Sequence, residues 1–232
     1  MGATRLPGKP LADIGGRPMI VRAWGQAAKS GLPAVVAAGD LEIVEAVQAA
    51  GGRAVLTDPA LPSGSDRVLA ALNAVDPEGR HDAVINLQGD MPFADPAIPT
   101  ARAALLAGEA ACDIATLVAL EAEASDRSNP DVVKAVLALG EGETSGRALY
   151  FTRSTLYGDG PVWRHVGVYG YRRAALERFC AAPPSPLERR EKLEQLRALE
   201  MGLSIWAAVI DQAPLSVDNP ADLEAARALA AA

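Results

Sequence analysis

"HDAVINLQGD", residues 81–90, decides how this chain is read. It is an apolar strand that runs into a polar turn, Gln88-Gly89-Asp90. In open α/β sheets the ligand crevice lies at the carboxyl ends of the strands, so a carboxylate behind a glycine at such an end is a candidate ligand for a hard cation. The same aspartate also reads as a turn or helix-cap residue, and both readings stay open on these residues alone. On the N-terminal side, helical and strand patterns alternate. "PMIVRAWGQAAKSG" (18–31) sets Met19, Ile20, Ala23, Trp24 and Ala27 at helical spacing and stops at Gly31. "LPAVVAA" (32–38) reads as a buried strand, "LEIVEAVQAAGG" as a helix closed by two glycines, and "RAVL" (53–56) as a short strand. "SGSDRVLAALNAV" opens with serine caps and continues as a helix, and "DPAIPTARAALLAG" (95–108) is the helix after the turn. This alternation predicts a parallel, doubly wound sheet.

Beyond about residue 113 the pattern becomes strand-rich. "DIATLVAL", "DVVKAVLAL", "RALYFT" and "RHVGVYGYR" read as strands, with "GEGETSG" (140–146) as a hairpin tip. "ALERFC" and "SPLERREKLEQLRALEMG" read as two helices, the second with Leu193, Leu196 and Leu199 on one face. "LSIWAAVI" is a further strand and "NPADLEAARALAAA" a capped last helix. The 232 residues suit one large domain, and with half of them hydrophobic they can bury a sizeable core. A net charge of −7 argues against a nucleic-acid or anionic-membrane surface. Two cysteines without a CxxC fit a reducing, cytoplasmic setting. No apolar run has the length of a membrane span.

Four segments carry candidate chemistry. "ATRLPGKPL" (3–11) combines Gly8, which permits close backbone approach, with prolines that stiffen the turn and with Arg5 and Lys9. Phosphates bind such mixtures of backbone N–H groups and cations, although the spacing is not that of a Walker A loop and an ordinary solvated turn is the other reading. Asp218 in "SVDNPADL" is a second aspartate after a strand; by itself it reads as an N-cap or turn residue, and two such aspartates on one α/β sheet favour a metal site without deciding it. Ser63, Gly64 and Arg67 in "LPSGSDRV" suit a base edge or phosphate, and equally a plain cap. In "RHVGVYGYR" strand alternation puts His165, Gly167 and Tyr169 on one face, a combination that suggests a polar pocket, although a satisfied structural histidine fits the pattern equally well. No Ser or Cys partners either histidine in a triad motif.

Taken in order, "TRLPGKPL", "SGSDR", "NLQGD", "NPDVVKAV", "ALYFTRS", "RHVGVYGYR", "PSPLERREKLEQLR" and "VDNPADL" resemble the CMP-Kdo synthetases, the 3-deoxy-manno-octulosonate cytidylyltransferases. The resemblance runs from residue 3 to about 228. It implies an α/β, Rossmann-like nucleotidyltransferase fold of GT-A type, a mixed sheet flanked by helices, in one domain over 1–232. Residues 1–112 would be its nucleotide-binding half and 113–232 its sugar-binding and dimerisation half. The implied reaction is CTP plus 3-deoxy-D-manno-octulosonate (Kdo) giving CMP-Kdo and pyrophosphate for lipopolysaccharide synthesis, by a cytoplasmic homodimer. Mg²⁺ would sit on Asp90 and Asp218. Arg5 and Lys9 would hold the CTP phosphates, with Lys9 counted among the catalytic groups. Ser63, Gly64, Arg67 and Gln88 would line the nucleotide pocket. Arg153 would pair with the sugar carboxylate, and His165, Tyr169, Glu194 and Gln195 would hydrogen-bond its hydroxyls.

Departures from the resemblance set further expectations. Met91 stands where the family turn carries a glutamate, Gly39 where it carries a threonine, and the loop from Ser154 to Trp163 is shorter. The family's first strand and its arginine turn do not precede "TRLPGKPL". Four or five large apolar residues of a central strand are worth roughly 10 kcal/mol of burial, against whole-domain stabilities of about 5–15 kcal/mol. On that count the sequence is expected to be N-terminally truncated, and an inactive nucleotide-binding remnant is then a competing function. A cytidylyltransferase for 8-amino-Kdo or sialic acid would share the fold and the metal site and differ in the sugar pocket. A sugar-1-phosphate nucleotidyltransferase is more remote, because "RHVGVYGYR" does not resemble a phosphate-binding sugar site.

Overall fold

The computed structural model describes residues 6–108, 111–120 and 124–231. Along the chain these form β1 (Asp13–Ile14), β2 (Arg17–Pro18), α1 (Met19–Lys29), β3 (Val35–Ala38), α2 (Leu41–Ala49), β4 (Arg53–Leu56) and α3 (Gly64–Val75). There follow β5 (Ala83–Asn86), α4 (Ala97–Gly108), β6 (Ile114–Leu120), β7 (Lys134–Ala138), β8 (Ser145–Thr152) and β9 (Trp163–Arg172). The chain closes with α5 (Arg173–Ala181), α6 (Pro186–Glu191), α7 (Gln195–Glu200), β10 (Ile205–Ile210) and α8 (Pro220–Ala231).

Two compact units divide these elements. The first holds the chain up to His81, Asn86–Ala101 and the chain from Pro214 on; the second holds Asp82–Ile85 and Arg102–Ala213. This division differs from the sequence halves at 112 and 113, because the chain returns to the first unit for α8.

In the first unit β3 and β4 pair in parallel, from Val35 opposite Arg53 to Ala38 opposite Leu56. The helical spacing read from 18–31 serves two cores. Met19 packs with Ile14, Val217, Leu223 and Ala226. Val21, Ile20 and Trp24 pack with Val36, Ile43, Val44 and Val47. The N-terminus of α3 is set by Ser63, whose Oγ accepts from the Asp66 amide. At α8, Asn219 and Asp222 satisfy each other's backbone amides, so Asn219 is the cap and Pro220 the first helical residue.

In the second unit six strands run in the order β5-β9-β6-β10-β8-β7, and β7 also pairs with β9. The sheet is mixed. β6 and β10 are parallel, whereas β6–β9, β8–β10, β7–β8 and β7–β9 are antiparallel. This is the mixed sheet that the resemblance implies, and the parallel pairing read from the N-terminal alternation is found in β3 and β4 of the first unit. The tight "GEGETSG" tip joins β7 to β8 as a hairpin, which only antiparallel strands can use. From Ile114 to Ala119, β6 is buried on both faces. Its pairing with β9 is irregular: Ala115 faces Gly170 and Leu117 faces Val166, so Gly167, Val168 and Tyr169 stand against the single residue Thr116.

The single helix read from "SPLERREKLEQLRALEMG" is corrected to two, α6 and α7. A capping box at Ser185 and Glu188 starts α6, and Lys192 ends it in the left-handed region at φ 55°. The break lets the buried Arg197 donate to both Glu188 and Glu194, and its guanidinium lies 4.2 Å over the Phe179 ring. A side chain at positive φ is strained, and Lys192 is exposed. Lys192→Gly is accordingly expected to raise stability by about 0.5–1 kcal/mol, read as a higher urea midpoint at unchanged slope. An unchanged or lower midpoint would show that the lysine side chain contributes more than its backbone costs.

Candidate functional site

The opening loop is a tight turn. Gly8 adopts φ 69°, the left-handed conformation open to glycine, and Lys9–Leu11 follow as one 3-10 turn begun by the amide of Lys9 on the Leu6 carbonyl. That turn aims Lys9 at two carboxylates. Its Nζ lies 2.9 Å from Asp90 Oδ2 and 3.0 Å from Asp218 Oδ1. The two aspartates come from segments far apart in sequence, and the Val217 amide donates to the Asp90 carbonyl at 2.9 Å, which holds the two turns side by side. Because Asn219 caps α8, Asp218 is free of that duty and its carboxylate serves Lys9 and the Ser216 hydroxyl. Burial pulls the Lys9 ammonium down, but hydrogen bonds and charge from Asp90 and then Asp218 outweigh it, so its pKa stands above the ordinary value.

One atom of this cluster has no partner among the described residues: Asp90 Oδ1 is buried and accepts no hydrogen bond from them. An unsatisfied buried carboxylate oxygen beside a second carboxylate is costly unless a cation binds there. Among the described residues no group of three or more His, Cys, Asp or Glu side chains gathers anywhere. Two carboxylates with further positions open to phosphate and water suit a hard divalent ion such as Mg²⁺. Met91, in place of the family's glutamate, is 6 % exposed and belongs to the core rather than to this cluster.

Arg67 occupies the carboxyl ends of β3 and β4. Its Nη1 donates to Thr57 Oγ1 at 2.6 Å and to the Asp58 carbonyl at 3.2 Å. A Cβ at position 39 would lie 2.8 Å from that same Nη1, so Gly39 makes room for the guanidinium. Ser63 is used as a cap, with its hydroxyl donating to Asp66 Oδ2, and Gly64 is the first residue of α3. Gln88 lies in the turn between β5 and Asp90, its carbonyl accepting from the Met91 amide. Arg5 lies outside the described residues.

In the second unit the residues expected to meet a sugar fall into two groups. His165 and Tyr169 stand 5.5 Å apart, ring centre to ring centre, and Phe151 packs edge-on to His165 at 4.9 Å. Val166 and Val168 point into the core, so the alternation read from the sequence holds. Burial raises the Tyr169 phenol well above its ordinary pKa, and the neighbouring Tyr171 and Glu194 add to the effect; it is a neutral donor at physiological pH. Glu194, at the break between α6 and α7, accepts from Arg197 at 3.2 Å, and Gln195 opens α7 in a buried position. Arg153 lines a separate cleft of about 480 Å³ with Ser128, Pro130, Ser154, Thr155 and Tyr157. Its Nη1 donates to the Pro130 carbonyl, and among the described residues no carboxylate pairs with it.

Burial pushes His165 down to about 4 from 6.5. As pH falls the unfolded chain takes up the proton first, so the stability tied to a neutral His165 is whole above pH 6.5 and is lost as pH falls through 4. Urea titrations across that window are expected to show an acid loss of up to about 3 kcal/mol, absent in His165→Gln. The same pH slope in both proteins would contradict a buried neutral imidazole.

Two residues with positioning roles escape a motif reading. Thr116 is a lone hydroxyl in an apolar strand, wholly buried, with Oγ1 2.9 Å from His165 Nε2. Lys134 is wholly buried, and its Nζ donates to the carbonyls of Asn129 and Arg153, 2.8 Å each. Burial and then the nearby Arg153 lower its pKa. A polar residue inside a continuous apolar run is the signal both share.

A family model described as Cytidylyltransferase matches residues 1–205. The 3-deoxy-manno-octulosonate cytidylyltransferase of Parvibaculum lavamentivorans is 60 % identical over 98 % of this chain and 88 % of its own length. That of Rhodospirillum centenum is 58 % identical over 99 % of this chain and 90 % of its own. The solved structure of a CMP:2-keto-3-deoxy-manno-octonic acid synthetase complexed with CTP superposes with a TM-score of 0.88 at 35 % identity, over 99 % of this chain and 94 % of that one. Nothing in these comparisons supports the inactive remnant. On this matching model and these relatives over nearly its whole length, the chain belongs to the cytidylyltransferases, among the 3-deoxy-manno-octulosonate cytidylyltransferases.

Proposed function

We propose that this protein transfers CMP from CTP to Kdo, releasing pyrophosphate, and that it does so with Mg²⁺ in the cytoplasm as a homodimer. The observation that carries the reading is the convergence of Asp90 and Asp218, with a buried Asp90 oxygen left open, in a chain 60 % identical to a 3-deoxy-manno-octulosonate cytidylyltransferase. The sugar's anomeric hydroxyl attacks the α-phosphorus in line. A P–O bond to the sugar forms, the bond to the bridging oxygen of pyrophosphate breaks, and the hydroxyl proton passes to water. No covalent intermediate with the protein is needed, so the chain's task is positioning and charge neutralisation.

Bound to Asp90 and Asp218, Mg²⁺ supplies Lewis-acid stabilisation of phosphate charge and eases ionisation of the hydroxyl. Lys9 is the counter-ion of the aspartate pair in the free protein and turns to phosphate oxygens when the triphosphate is bound. Arg5 adds charge on the same loop. Ser63, Gly64, Arg67 and Gln88 border the nucleotide, with Arg67 braced against Thr57. Arg153 holds the sugar carboxylate with its unpaired guanidinium face. His165, Tyr169, Glu194 and Gln195 take the hydroxyls. The dimer is carried by the strand-rich half, where Leu120, Leu149 and Tyr157 are exposed.

The test is pyrophosphate release from CTP and Mg²⁺ with Kdo, 8-amino-Kdo and sialic acid as separate acceptors. Fast turnover with Kdo alone is expected. Turnover with either of the others and none with Kdo would overturn the substrate assignment.

A further inference from the structure

The irregular pairing of β6 and β9 gathers three polar atoms around one buried oxygen. Thr116 Oγ1 lies 2.9 Å from His165 Nε2, 3.0 Å from the Val168 carbonyl and 3.3 Å from the Val166 carbonyl. A threonine hydroxyl has one proton to give and lone pairs to receive with, whereas a carbonyl can only receive. If Nε2 were bare, the hydroxyl would spend its proton on the ring, and its oxygen would face two carbonyl oxygens with no proton between them. If Nε2 carries the proton, it donates to Oγ1, and the hydroxyl donates to the Val168 carbonyl. Only the second arrangement satisfies both groups, and Thr116 is fully buried, so no solvent can stand in.

From this we infer that Thr116 locks His165 as the Nε2–H tautomer and so presents Nδ1 as a bare acceptor, fitted to accept a hydrogen bond from a hydroxyl of the acceptor sugar. The state of one ring nitrogen is set by what the other nitrogen binds. The imidazole is neutral above about pH 4, which leaves Nδ1 unprotonated at the pH of turnover. Nδ1 has no partner among the described residues, and the His165 side chain is only partly buried. Beside it, Tyr169 is held as a neutral phenol, so the pair offers a hydroxyl group both kinds of partner. A bare Nδ1 selects a donor: it accepts from a hydroxyl and repels a carboxylate. It therefore favours the sugar's polyol portion over its acid end, which is left to Arg153. This role at the sugar rests on the function proposed above; the tautomer itself rests on geometry alone. Thr116 is in this sense a positioning residue that acts through His165.

The experiment uses the full chain with ¹⁵N-labelled histidine at neutral pH. The protein has two histidines, and a His81→Gln variant assigns their signals, since His81 is exposed. Two-bond ¹⁵N–¹H correlations are expected to show His165 protonated at Nε2 and bare at Nδ1. Thr116→Val, close in shape but without the hydroxyl, is expected to mix the tautomers. It should also raise the KM for Kdo about tenfold at an unchanged KM for CTP. Thr116→Ser keeps the hydroxyl and is expected to restore both readouts, which separates hydrogen bonding from packing. His165 protonated at Nδ1 in the unaltered protein would overturn the tautomer and everything built on it. An unshifted KM for Kdo in Thr116→Val would overturn the positioning role. If the Nε2–H signal is present but His165→Ala leaves the KM for Kdo unchanged, the tautomer stands, while the sugar contact falls together with that part of the proposed function.

Discussion

Asp90→Asn is expected to lower kcat by about a thousandfold or more while the protein stays folded. The exchange keeps the size of the side chain and removes its charge. A neutral amide is a poor ligand for a hard divalent cation, and the Lewis-acid contribution that depends on this residue is worth several kcal/mol, with about 1.4 kcal/mol for each factor of ten. The choice of Asp90 over its neighbours rests on its buried, unpartnered Oδ1 and on the contact of Oδ2 with Lys9. Asp218→Asn should act in the same direction. Its side chain is 57 % exposed, against 23 % for Asp90, so water can replace part of what it provides and the loss should be smaller. The measurement is pyrophosphate release at saturating Mg²⁺, accompanied by Mn²⁺ binding to the nucleotide-free protein, which reads the metal site without turnover. A loss below tenfold in Asp90→Asn, with Mn²⁺ binding intact, would remove Asp90 from the metal site.

The second large effect is expected at Arg153. Arg153→Ala should lower kcat/KM for Kdo by about a hundredfold, chiefly through KM, and leave the KM for CTP in place. Arg153→Lys should recover little of it. A guanidinium meets a carboxylate with two parallel hydrogen bonds and an ammonium does not, and losing one member of a charge-assisted pair costs about 2–5 kcal/mol in binding. In this structure one Arg153 nitrogen is committed to the Pro130 carbonyl, and the buried Lys134 holds the Arg153 backbone carbonyl in place. The side chain is thus anchored at its base, and its guanidinium borders the cleft with Ser128 and Thr155. If Arg153→Ala raised the KM for CTP instead, the residue would belong to the triphosphate and not to the sugar.

Much of the first unit is legible from residue order. The "RAVL" strand is found at Arg53–Leu56, and the helix opened by Ser63 starts at Gly64. Both are local events, governed by alternation and by a cap two or three residues away. The lysine and the two aspartates were also legible as candidates, since each lies in a turn beside a recognisable element. What residue order left open was whether Asp218 caps a helix or faces a ligand. Asn219 takes the cap itself, and the structure shows the Asp218 carboxylate left to Lys9 and Ser216. The break between α6 and α7 was not legible. Its apolar spacing fits one continuous helix, and the interruption at Lys192 follows from the demand of a buried Arg197 for two carboxylates at once.

By itself, then, the sequence determined the alternation of elements, the candidate loop and aspartates as separate segments, and the membership in the cytidylyltransferases. All of these depend on patterns within a few residues or on whole motifs in order. Tertiary structure alone decided that Lys9 joins the two aspartates, that Gly39 is there to clear Arg67, and that Thr116 meets His165. The partners in these contacts are 81 and 209, 28, and 49 residues apart. The last contact also depends on three residues of one strand standing against a single residue of the next. Periodicity reports which face a side chain takes; the register between strands decides which atom it meets, and register is set by the packing of the whole sheet.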